Sequence, residues 1–181
     1  MTNAWGGYEA YDNEAFGRPF WEHPVGHWDR MFTAGVRATL LTSARFAPLF
    51  VAQSQGLIVN TIAWLHGDYL GNLFYDTAKA AIVRMTSGMA KEYRFRGVAA
   101  VALAPGFMRT ERVLAAHAAR PFDLGPTESP AYLGRAVRAL ASDSNVSARS
   151  GEVLFVGDLA REYGFTDTDG RQPPPFRVPP R

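Results

Sequence analysis

Three short, largely apolar runs punctuate the chain, and stretches of helical period separate them. Gly56-Leu57-Ile58-Val59-Asn60-Thr61-Ile62, Gly97-Val98-Ala99-Ala100-Val101-Ala102-Leu103-Ala104 and Gly151-Glu152-Val153-Leu154-Phe155-Val156 each start at a glycine and are rich in aliphatic residues. Runs of this length without strict polar alternation mark strands covered on both faces. A helical pattern starts near His27-Trp28-Asp29, bends at Gly35 and continues to about Val51, with Pro48 expected to kink or end it. Others run from Leu73 to about Phe95, from Thr110 to Ala119 and from Ser129 to Ser142. Strand, helix, strand, helix, strand is the order of right-handed βαβ units. We therefore expect an all-parallel sheet of strands 57–62, 98–103 and 152–156, with helices 27–51 and 73–95 packed on one another. Asn3 to Gly7 and Trp64 to Asn72 read as loops, and residues 8–26 as an aromatic, turn-rich segment. From Asp158 onward the chain reads as turn-like and polar, ending in an extended proline-rich tail from Pro173 to Arg181 that lies on the surface or is disordered.

Composition narrows the classes. The chain has 181 residues, 47% hydrophobic and 20% charged, enough for one domain with a core. Its net charge is only +2 and its basic residues are scattered, which argues against nucleic acid as a partner. With no cysteine there is no thiolate metal site, and His23, His27, His66 and His117 lack a metal-binding spacing backed by carboxylates. No metal is expected. No apolar run approaches the ~18 residues of a membrane span, and no apolar signal region opens the chain. A cytoplasmic protein is the expectation. Ser43, Ser87 and Ser147 have no histidine at a useful spacing, so hydrolase chemistry has no support.

The chemistry concentrates at Tyr75-Asp76-Thr77-Ala78-Lys79. Residues four apart in a helix stand one turn apart on one face. An ammonium beside a phenol favours the phenolate and makes the ring oxygen a usable proton donor or acceptor near neutral pH. That is chemistry for reducing carbonyls or oxidising alcohols.

On its motifs, the chain resembles the C-terminal two thirds of a short-chain dehydrogenase/reductase. Asn3-Ala4-Trp5-Gly6-Gly7 is similar to the family's Asn-Asn-Ala-Gly loop, and Trp28-Asp29 opens what looks like its helix at the oligomer interface. Tyr75 and Lys79 match Tyr-x-x-x-Lys. Pro105-Gly106-Phe107-Met108-Arg109-Thr110 resembles the Pro-Gly loop whose backbone and threonine contact the nicotinamide carboxamide. Asp158 to Phe165 and Asp169-Gly170-Arg171 are similar to the subgroup that contains dehydrogenase/reductase member one. The resemblance implies an α/β fold: a partial Rossmann-like, doubly wound parallel sheet lacking the N-terminal glycine-rich βαβ half. Residues 1–157 would form that truncated domain and 158–181 a family-specific tail. It further implies an NAD(P)-dependent oxidoreductase acting on a small carbonyl or alcohol compound. Tyr75 would be the general acid/base, assisted by Lys79. Cofactor contacts would come from Asn3, Ala4, Tyr75, Lys79, Pro105, Gly106, Phe107 and Thr110, with Trp64 and Phe107 as apolar walls.

The departures are specific. Where the family keeps a serine that orients the substrate carbonyl, this chain has Ile62. The neighbouring Thr61 should face the other side of the sheet unless a bulge re-aims it. Gly35 stands at the family's relay asparagine. No Gly-x-x-x-Gly-x-Gly turn occurs in the chain, and that turn is where dinucleotide folds seat the pyrophosphate. NAD cannot be chosen over NADP, and weak binding is expected. The alternative reading is a catalytically impaired or truncated scaffold that keeps the oligomer surface. Homo-oligomers are expected because strand 57–62 would have an unpaired edge. Asp68 and Asn72 either line a pocket or serve the turn, Asn72 as a helix cap. Arg109 and Glu111 read as solvated.

Overall fold

The computed structural model describes residues 1–7, 15–63 and 68–176. Its sheet holds β1 (Gly56–Thr61), β2 (Val98–Ala104) and β3 (Val153–Phe155) in the order β1-β2-β3. Both pairs are parallel, in the register Gly56↔Val98 to Thr61↔Leu103 and Ala102↔Val153 to Ala104↔Phe155. The helices are α1 (Val25–Met31), α2 (Ala38–Gln53), α3 (Leu73–Glu92), α4 (Glu111–Ala119), α5 (Pro130–Ser142) and α6 (Val156–Tyr163). Alternation along the strands divides the core between the two faces of the sheet. Val59, Val101, Leu103 and Leu154 pack with Tyr132, Leu133, Leu140 and Leu159 of α5 and α6. On the other face, Ile58 and Ala100 meet Phe50, Val51 and Met89 of α2 and α3, and Ile62, Ala102 and Ala104 meet Ile82. Helices thus cover both faces, the doubly wound arrangement expected.

The long helix changes its winding around Gly35, where a bend was expected. Phe32–Arg37 is a π-helical turn joining α1 to α2. A Cβ at Gly35 would fall 2.4 Å from the Trp5 ring, so the glycine is what lets that ring lie against the helix. Pro48, in contrast, does not end α2, which continues to Gln53. Pro48 and Ala44 are both exposed, so water can satisfy the Ala44 carbonyl that the proline leaves unbonded.

Three expectations about the ends need correction. The edge of β1 is not bare: Thr2 forms a parallel bridge with Asn60, donating to the Val59 carbonyl at 2.8 Å and accepting from the Thr61 N–H at 3.1 Å. Beyond Asp158 the chain is not turn-like, because Val156–Tyr163 is a helix that buries Val156, Leu159 and Ala160 and exposes Asp158, Arg161 and Glu162. The start of the proline-rich tail is not loose on the surface either. It crosses the first turn of α6 so closely that a Cβ at Gly157 would lie 2.5 Å from the Pro175 nitrogen. The buried hydroxyl of Tyr132 donates to the Pro173 carbonyl at 3.3 Å.

Candidate active site

The C-terminal ends of β1 and β2 open into a cavity of about 550 Å³. β1 delivers Thr61, Ile62 and Ala63 to it; β2 stops at Pro105, and Pro105 to Met108 turns over it. α3 contributes Tyr75 and Lys79, α4 contributes Arg112, Val113 and Ala116, and the N-terminal loop contributes Asn3 and Trp5. Of the residues assigned to chemistry or cofactor, Asn3, Tyr75, Lys79, Pro105, Gly106, Phe107 and Thr110 all line this one space. Ala4 does not; it is exposed.

α3 is aimed by its cap. Asn72, in extended conformation, accepts the Tyr75 N–H at 3.0 Å through Oδ1 and donates from Nδ2 to the Phe16 carbonyl at 2.9 Å. Of its two readings, the helix cap is the one realised; Asp68 is exposed and outside the cavity lining. The Tyr75 ring then sits edge-on to Trp5 at 5.3 Å and to Phe16 at 5.5 Å.

Lys79 is only 7% exposed, and its Nζ stands 3.7 Å from the centre of the Trp5 ring and 5.3 Å from that of Tyr75. No ion pair to Lys79 exists among the described residues. Burial lowers its ammonium to about 7, while the indole face offers the charge partial compensation for lost water. Trp5, which sequence reasoning left without a role, is therefore the residue on which the lysine rests. Its one sequence signal is its place inside the Asn-Ala-x-Gly loop.

Ile62 is 2% exposed and lies on the α3 face of the sheet with Ile82 and Ala102. β1 carries no bulge, so Thr61 stays on the opposite face, yet the strand ends so near the cavity that Thr61 lines it too. Its Oγ1 is buried with no hydrogen-bond partner among the described residues. Thr110 lines the cavity and caps α4, accepting the Val113 N–H at 3.4 Å. Arg109 is not a solvated cation as expected: it meets Asp167 at 3.2 Å and Asp169 at 3.4 Å. Glu111 is exposed in the first turn of α4. Trp64 lies outside the described residues. Among these, no three His, Asp or Glu side chains converge as metal ligands, and no helix is long and apolar enough to cross a membrane.

Residues 13–120 match the family model described as short chain dehydrogenase. The chain belongs to the short-chain dehydrogenase family. Along 94% of its length the chain is 36% identical to dehydrogenase/reductase SDR family member 1 of Mus musculus, and it covers 58% of that relative. The human counterpart is 35% identical over the same share. The chain thus spans about 58% of the length of the curated relatives it matches. Among solved structures it is similar to a 3-oxoacyl-[acyl-carrier protein] reductase with bound NAD from Brucella melitensis, at TM-score 0.68 and 22% identity over 85% of this chain and 58% of that one. ElxO with NADP bound gives TM-score 0.68 and 20% identity over 75% and 58%. At those identities the two structures speak for the partial Rossmann-like fold alone.

Proposed function

We propose that this chain carries the catalytic half of an NAD(P)-dependent oxidoreductase that interconverts a small carbonyl compound and its alcohol. The observation that carries the reading is the convergence of Tyr75, Lys79, Asn3 and the Pro105–Thr110 loop on one cavity. The residues present fit the nicotinamide and its ribose. A buried lysine without an acidic partner among the described residues and an unpartnered Thr61 hydroxyl are groups that a polyhydroxyl ligand would satisfy. The bound nicotinamide supplies or accepts the hydride. Tyr75 gives its phenolic proton to the carbonyl oxygen in reduction and takes it back in oxidation. Lys79 stabilises the phenolate and holds the ribose, and Trp5 keeps the lysine in place. Ile62 and Phe107 shield the reacting groups from water. We divide the chain by sequence into a domain of residues 1–157 and a family-specific tail of 158–181, although α6 spans that boundary and packs Leu159 and Ala160 into the core.

The test is carbonyl-dependent loss of reduced-nicotinamide absorbance, with NADH and NADPH in turn, against a panel of small aldehydes and ketones. Lys79→Ala is expected to lower the rate by roughly a hundredfold. The wild-type advantage over Lys79→Ala is expected to narrow as pH rises through about 7, because the charge of Lys79 fades above that value. An advantage that widens with pH would sink the electrostatic role. The second reading, an impaired or truncated scaffold, is favoured by Ile62 at the serine position; no turnover with any cofactor and substrate would support it.

Self-association belongs to the same proposal. Leu40, Leu41, Phe46 and Leu49 of α2 are 46%, 50%, 49% and 56% exposed, a patch that an oligomer contact would cover. Sedimentation at micromolar concentration is expected to show dimers or larger species. A single monomeric boundary would count against the contact.

A further inference from the structure

Glu128 is 1% exposed, and it lies not in the cavity but behind the loop that roofs it. The loop meets this one residue three times. The Glu128 N–H donates to the Phe107 carbonyl at 3.0 Å, and the Glu128 carbonyl accepts the Arg109 N–H at 2.7 Å. Its carboxylate faces the backbone N–H of Gly106, which draws its pKa down. The approach there is tight: a Cβ at residue 106 would lie 2.7 Å from Oε2. The other oxygen, Oε1, is buried with no hydrogen-bond partner among the described residues. A carboxyl buried with half its acceptors unused is costly, and an apolar residue would fill the space more cheaply. The other oxygen, Oε2, is the one turned to the loop at Gly106.

We propose that Glu128 is a positioning residue whose carboxyl fixes the Gly106–Arg109 loop in the shape that roofs the cavity. The proposal extends the cofactor reading above, since this is the loop expected to receive the nicotinamide. The groups facing the carboxyl are Arg109 from the loop, Asp167 from the tail and Tyr132 from α5. Burial, and then the negative charge of Asp167, push Glu128 up to about 7, against the pull of the Gly106 N–H and Arg109. Asp167 itself stays below the usual carboxylate range: burial pushes it up, but hydrogen bonds from Ser129 and Thr168 outweigh that. Tyr132 is raised to about 12, by burial first and then by Glu128 and Asp167, so it stays neutral across the range. Above about 7 the carboxyl is charged, and a charged acceptor attracts the Gly106 N–H roughly twice as strongly as a neutral one. The loop is then held firmly, and below that pH it slackens.

The test compares wild type, Glu128→Gln and Glu128→Ala by hydrogen exchange of the Gly106 amide and by NADH titration followed through tryptophan fluorescence. In wild type, Gly106 protection relative to intrinsic exchange is expected to rise about threefold or more from pH 6 to pH 8. Glu128→Gln, which keeps an acceptor but no titration, is expected to retain protection and lose the pH response. Glu128→Ala should lose about tenfold in protection and bind NADH about fivefold more weakly. Stability gives a readout without cofactor. Folding raises the carboxyl from its ordinary 4.5 to about 7, so the native chain keeps a proton that the unfolded chain releases, and stability falls as pH rises across that window. Glu128→Gln should flatten this decline. Equal Gly106 protection in all three proteins overturns the proposal. If Glu128→Ala does not fold, identical pH curves for wild type and Glu128→Gln overturn it equally. Gly106 responding as expected while wild type and Glu128→Ala bind NADH equally upholds the clamp and removes its link to the cofactor.

Discussion

Tyr75→Phe is expected to abolish carbonyl reduction, with a loss of about a thousandfold or more, while the chain unfolds at an unchanged temperature. The phenyl ring keeps the edge-on contacts with Trp5 and Phe16 and its place beside the Lys79 ammonium. Only the hydroxyl goes, and with it the proton for the carbonyl oxygen. A positioned general acid contributes typically 10²–10⁴-fold, so the whole of that factor is at stake. Tyr75 is half-buried and packs against the buried Met31 and Ala78, and a phenyl ring keeps that packing. Initial rates on wild type and variant with one carbonyl substrate decide the matter. Equal rates would mean that the assay reads a contaminant, and an unfolded variant would withdraw the mechanistic claim.

The second large effect concerns the cofactor. This 181-residue chain is expected to bind NAD(H) and NADP(H) at high micromolar affinity or worse. The cavity presents groups for nicotinamide and ribose, but the sequence contains no Gly-x-x-x-Gly-x-Gly turn to seat the pyrophosphate. Charge-assisted hydrogen bonds are worth roughly 1.5–3 kcal/mol each, so two or three missing contacts weaken binding by on the order of a hundredfold or more. Joining a glycine-rich βαβ unit ahead of Met1 is expected to restore tight binding. Calorimetric titration of the chain alone settles the first half: low-micromolar binding would mean that another surface, such as the Asn3–Gly7 backbone, takes the phosphates.

The strands were readable because β2 is buried at every position and β1 at its centre, Ile58 to Asn60, so their apolar runs carry little competing signal. Tyr75 and Lys79 were readable because their relation is local, one turn of one helix. Trp5 on Lys79 and Glu128 on Gly106 are contacts between segments far apart in the chain, and no spacing rule reaches them. α6 escaped for another reason. It begins at Val156 directly after β3, with no loop between them and a glycine in its first turn, so its short stripe of Val156, Leu159 and Ala160 merges with the strand's apolar run. Thr61 shows the limit of face arithmetic: alternation places it correctly across the sheet from Ile62, but not the strand end that brings both to the cavity.

Residues near both ends of the described chain meet at this cavity. Asn3 lines it just after Thr2 bridges β1, and Phe176 lies against Phe107, which lines it from the other side. A fluorescent label attached at Asn3 or Phe176 would therefore sit beside the reacting groups and could alter the very rates it was added to measure. The opposite end of the sheet offers a quieter attachment point. There the turn from Arg94 to Gly97 joins α3 to β2, and the Phe95 side chain stands 92% exposed. A surface-coupling residue introduced at Phe95 would leave the cavity and both ends of the chain untouched.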